Sequence, residues 1–188
     1  MVSVEELTDL ADKIAANGNG SLYVSLIDRD CRNNPFYLFE IWEQRPEKPG
    51  PKKEYVMKNA HDKVVQAYQT EDLEYQQRLT DALVLFSNSC EKITKAAYSD
   101  ETASEKYGSD VYGAVNKALR AIASNEKAEI SHIILISDCV HNARTEAMLA
   151  EIPESVELIT VSSYESGNLE GLISKQFITF DQVINHLF

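Results

Sequence analysis

The sequence predicts an α/β domain: a three-layer, doubly wound, mostly parallel sheet with helices on both faces. Three observations carry this expectation. Four short runs, at 22–27 (LYVSLI), 82–86 (ALVLF), 133–136 (IILI) and 156–161 (VELITV), are nearly all apolar or β-prone, as in strands buried on both faces. Stretches of helical period lie between them, the alternation that builds a sheet covered on both sides. The 188 residues, 44% of them hydrophobic, fill one core. A single domain over 1–188 is therefore expected.

The elements follow in order. Residues 1–20 hold an N-terminal helix, because Val4, Leu7, Leu10, Ala11 and Ile14 recur at helical spacing. Asn17-Gly18-Asn19-Gly20 ends it. The run at 22–27 is the first strand. Residues 33–55 read as an insertion: an aromatic stretch, FYLFEIW, then RPEKPGPKK, with four of the chain's five prolines between Pro35 and Pro51. The aromatic stretch fits a strand by composition or a helix begun at Asn34-Pro35. A helix is expected from 54 to about 73, a second strand at 82–86, and a paired strand at 93–98. Val111, Val115, Ala118, Leu119 and Ile122 mark a helix capped by Ser109 or Asp110. The third strand is 133–136, a helix spans 142–151, and the fourth strand is 156–161. Short helices at 169–174 and 180–187 flank a small strand at 177–179.

Charge narrows the function classes. Thirty acidic against eighteen basic residues give a net charge of −12, which repels phosphate backbones. Lys48–Lys53 is the densest basic stretch, with three lysines among prolines, so no nucleic-acid partner is expected. No apolar run reaches the length of a membrane span, and the N-terminus lacks the pattern of a signal peptide. Three widely spaced cysteines argue against a disulfide framework. The expectation is a cytoplasmic protein.

Sites in such sheets form at the carboxyl ends of strands. The first strand leads into Asp28, Asp30 and Cys31, the second into Ser87, Asn88, Ser89 and Cys90, and the third into Ser137, Asp138, Cys139 and His141. Carboxylates gathered on one edge need a cation, a proton or a guanidinium between them. Oxygen ligands of this kind suit magnesium, manganese or calcium. Arg29 or Arg32 offers a built-in substitute through bidentate pairing. Zinc is not expected, since no Cys-x-x-Cys pair is present.

The order of these residues resembles the von Willebrand factor A domain. Asp28-Arg29-Asp30-Cys31-Arg32 is similar to its Asp-x-Ser-x-Ser motif, and Leu83 to Ser87 (LVLFS) to its second strand. Gly108-Ser109-Asp110 stands where the family has a threonine turn opening a helix. Ile133 to Cys139 (IILISDC) resembles its strand ending in Thr-Asp-Gly. The resemblance implies a metal-ion-dependent adhesion site formed by Asp28, Asp30, Ser109 and Asp138. Asp30 and Arg32 replace the two serines and Cys139 the glycine, so the site implied is degenerate, with no metal or weakly bound magnesium, manganese or calcium. Arg32 stands in for the ion by pairing with Asp28 or Asp138. The function implied is recognition of another protein, one with a basic face, at the carboxyl edge of the sheet and without catalysis. Phe36 and Trp42 are the candidate aromatic anchors beside Arg32.

A second resemblance gives the alternative. Asp28-Arg29-Asp30 is similar to the nucleophile motif of haloacid-dehalogenase-type phosphatases, and Leu85 to Ser89 (LFSNS) to their second motif. It implies a magnesium-dependent phosphohydrolase in which Asp28 attacks phosphorus, Asp30 is the acid/base and Asp138 helps hold the metal. The Gly-Thr that follows the aspartates in that family is Cys31-Arg32 here, and no Lys-Pro element precedes Asp138.

Overall fold

The computed structural model describes residues 2–18, 20–27, 31, 34–51, 58–97, 109–125, 131–137, 148–162, 169 and 171–188. These form a mixed α/β fold with four helices and two small sheets. Helix α1 (Val4–Ala16) starts with a reciprocal cap: Ser3 Oγ accepts from the Glu6 N–H and Glu6 Oε2 from the Ser3 N–H. Two orphan amides are thereby satisfied. Gly18, at φ +72°, takes the left-handed conformation that lets the chain leave the helix.

Strands β1 (Gly20–Val24) and β2 (Tyr37–Ile41) pair antiparallel, with Leu22 opposite Phe39 and Val24 opposite Tyr37. The ambiguous aromatic stretch is thus a strand. The first apolar run ends earlier than its composition suggests and is only partly buried, so it is not a two-sided parallel strand.

Helix α2 (Lys58–Ala97) has 40 residues and is about 60 Å long. It contains both the 82–86 run and residues 93–97, so the expected second strand and its pair are absent. Tyr75, Phe86 and Cys90 are buried and Leu79, Ala82 and Leu83 pack beside them, while Val84 and Leu85 are 56% and 70% exposed. Burial at steps of three and four is the helical period. A strand would have buried Val84 together with Phe86. Short apolar runs carry too few residues to separate the two periods. The flanking Gln, Glu, Arg and Lys are good helix formers, and the packing of Phe86 and Cys90 against α1 and Phe39 selects the helix.

Helix α3 (Val111–Ala123) leads into β3 (Ser131–Ile136), which pairs in parallel with β4 (Val156–Val161) and through it with β5 (Lys175–Phe177). Helix α4 (Phe180–Leu187) closes the chain as expected. Residues 148–151 and 171–174 are not helical, and the small strand falls at 175–177 rather than 177–179. The parallel sheet is covered on both faces. Ile133, Leu135, Val156 and Leu158 meet Val111 and Val115 of α3. Ile134 and Val161 turn to a second cluster built from α1, α2, α4 and Phe39 of β2. No helix among the described residues is long and apolar enough to cross a membrane.

Candidate functional site

Helix α3 is the hub of the carboxyl edge. Three contacts lay it antiparallel to the chain from β1 onward. Near its end, Asn125 Nδ2 donates to Ser21 Oγ at 3.2 Å. Midway, Lys117 Nζ donates to Ser25 Oγ at 2.8 Å and to the Asn34 carbonyl, and lies 4.2 Å from the centre of the Phe36 ring. At its start, the buried Cys31 thiol donates to the Asp110 carbonyl at 3.3 Å. Asp110 is the cap of α3: its Oδ1 accepts from the Gly113 N–H at 2.9 Å, settling one orphan amide of the first turn. Of the two caps expected, Asp110 is the one used.

Residues 25–26 and 34–35 are tied together as a neck. Ser25 Oγ donates to the Pro35 carbonyl at 2.9 Å and Asn34 Nδ2 to the Leu26 carbonyl at 3.0 Å. Lys117 adds its ammonium to the same neck. Ile27, just past this neck, packs into the cluster of α3 and β3.

One residue before Lys117, Asn116 grips a different segment. Its Nδ2 donates to the Met148 carbonyl at 2.9 Å and its Oδ1 accepts from the Ala150 N–H at 2.8 Å. This segment follows the stretch that starts after Ser137 at the carboxyl end of β3. Neighbouring positions on α3 therefore hold Ser25 and Asn34 on one side and Met148 and Ala150 on the other. The sequence offered a faint signal for this. Asn116 and Lys117 are polar residues in the middle of a mostly apolar helix, and neither lies on its Val111–Val115–Ile122 stripe.

Asp28, Asp30, Arg32 and Asp138 lie outside the described residues, as do Cys139 and His141. Ser109 is half-buried directly before the cap. Ser87, Asn88, Ser89 and Cys90 are on α2 and do not follow a strand. Cys90 sits in the cluster with Phe86, where burial pushes its thiol up to about 11. Phe36 and Trp42 are both half-buried and stand at opposite ends of β2, about 20 Å apart along an extended strand. Phe36 packs edge-on against Tyr23 at 5.6 Å, and Trp42 Nε1 donates to Glu40 Oε2 at 3.1 Å. Phe36 is on the side of Lys117 and the neck; Trp42 is at the far end. Among the described residues no group of three or more His, Cys, Asp or Glu is arranged to hold a metal.

Comparison with known protein families, with curated proteins and with solved structures finds no match for this chain. The reading of the site therefore rests on its own chemistry.

Proposed function

We propose that the chain is a protein–protein interaction module of the von Willebrand A type that engages a partner with a basic face at the carboxyl edge of its parallel sheet. One observation supports it: Cys31 and Lys117 hold the chain on either side of Asp28 and Asp30 to α3, and Asn116 of the same helix holds residues 148 and 150, which follow Asp138 in sequence. Asp28, Asp30 and Asp138, with Ser109, form the recognition rim, and Arg32 takes the place of a divalent ion. The charge of −12 speeds the approach of a basic partner. Cytoplasmic residence belongs to the same proposal.

The phosphohydrolase alternative has less support. Its second motif needs a serine at a strand end, and residues 85–89 are inside α2.

Calorimetric titration with magnesium, manganese and calcium tests the rim. Native protein is expected to bind none of them tightly, and the double variant Asp30→Ser/Arg32→Ser to bind more tightly than native. Tight binding by the native protein that is lost in Asp138→Ala would overturn the guanidinium role. Magnesium-dependent phosphate release from generic phosphoesters, abolished in Asp28→Asn, would replace the interaction reading with the catalytic one.

A further inference from the structure

At the amino edge of the parallel sheet, away from the rim, four titratable side chains meet from four elements. His132 comes from β3, Glu157 from β4, Lys175 from β5 and His186 from α4. The Nε2 atoms of His132 and His186 each stand 3.4 Å from the same oxygen, Glu157 Oε2. Lys175 Nζ is 3.8 Å from Glu157 Oε1, 3.3 Å from His186 Nδ1 and 3.1 Å from His186 Nε2. The His186 ring also leans on Phe177, with centroids 5.5 Å apart.

With both imidazoles neutral and each Nε2–H presented to Glu157, Nδ1 of His186 is the nitrogen left to accept from Lys175; the approach of Lys175 to His186 Nε2 at 3.1 Å then sets two donors side by side. The carboxylate and the ammonium then cancel, and the cluster is neutral. A proton on His186 removes the acceptor that faces Lys175 and sets two cations side by side. A proton on His132 adds a third cation around one carboxylate. Among the described residues, Glu157, Lys175 and His186 are the charged or titratable groups that face His132.

We propose that these four residues form a proton-operated clasp, which holds the last turn of α4 against the sheet in neutral solution and releases it in mild acid. Phe180 and Val183 are buried and keep the first turn in place; in the last turn Ile184 is buried and Leu187 packs on the same cluster, so the clasp acts together with these two apolar contacts. Release is confined to the turn that carries His186. The direction agrees with His132, whose imidazole is held below its ordinary pKa chiefly by burial, with His186 and Lys175 adding to the effect and Glu157 opposing it. The fold prefers the neutral ring. That contribution is complete above the unfolded value, about 6.5, and is lost as the pH falls below it. Clusters of histidine at a packed boundary change state in this range.

Amide exchange measured by NMR at about pH 7.5 and about pH 5.5, corrected for intrinsic exchange, tests the clasp. Protection in the last turn of α4 is expected to fall roughly tenfold or more, with α1 and α3 unchanged. Glu157→Gln should lower it already at neutral pH, since Lys175 loses its counter-charge. The double variant His132→Gln/His186→Gln should keep protection at both pH values. Equal protection at the two pH values, a uniform fall across all helices, or an undiminished response in the double variant would overturn the proposal. The native protein supplies a check that needs no variant: the His132 ring protons must titrate with the midpoint of the α4 amide shifts, and separate midpoints would also overturn it.

Discussion

The Cys31 thiol donates to the Asp110 carbonyl, joining residues 79 positions apart. The contact sits at the start of α3, and both partners are buried. Cys31→Ala removes a weak donor and leaves a small void, for an expected loss of about 1–2 kcal/mol. Urea denaturation measures it. Cys31→Ser keeps a donor but buries a more polar atom, and should also be less stable than native.

Gly113 shares that corner. A Cβ on residue 113 would overlap Asp110 Oδ2 and stand 2.8 Å from Oδ1. Alanine in place of glycine ordinarily strengthens a helix by about 1 kcal/mol. Here it must push the cap aside, and a lost cap costs about 0.5–2 kcal/mol. Gly113→Ala is therefore expected to lower the melting temperature, opposite to the propensity rule. A rise would mean that the cap re-forms without strain.

Lys117→Met keeps the stem of the side chain and removes its charge. Ser25 Oγ and the Asn34 carbonyl then lose a charged donor, worth about 1.5–3 kcal/mol. The expected signature is faster amide exchange around Ser25 and Asn34, with little change in α1. Unaltered exchange there would show that the neck holds without the ammonium.

Two neighbours on α2 separate helix from strand. Phe86→Ala should cost about 3–5 kcal/mol, because the ring is 1% exposed and packs 5.8 Å from Phe39. Leu85→Ala, at a largely exposed position, should change stability by no more than about 0.5 kcal/mol. Comparable losses from both would count against the helix at this point.

Thr160 is fully buried on β4, and its hydroxyl has no hydrogen-bond partner among the described residues. Valine has the same shape without the polar atom. Thr160→Val is expected to raise stability by about 1–2 kcal/mol, measured as a higher denaturation midpoint at unchanged slope.

Cys90 yields a pH prediction. Its folded pKa of about 11 lies above the ordinary 9.0, so the fold prefers the thiol. That stability is present below about pH 9 and is lost as the pH rises toward about 11. Native protein should lose stability in that window more than Cys90→Ala does. Iodoacetamide should label Cys90 slowly at neutral pH, since the thiolate is the reactive form.

The sequence by itself determined the α/β class, the helices at 4–16 and 180–187, the strands at 133–136 and 156–161, and the apolar face of α3, with its cap narrowed to Ser109 or Asp110. Each is written in a local period or a local capping residue, and local signals are legible without partners. Tertiary structure alone decided the rest. Residues 82–86 suit either period, and only the arrangement of α1, β2 and α2 around Phe86 selects the helix. The pairing of β1 with β2, the grip of Lys117 on the neck, and the meeting of His132, Glu157, Lys175 and His186 join residues remote in the chain. Such contacts leave no mark on composition or spacing, because each arises only when elements pack.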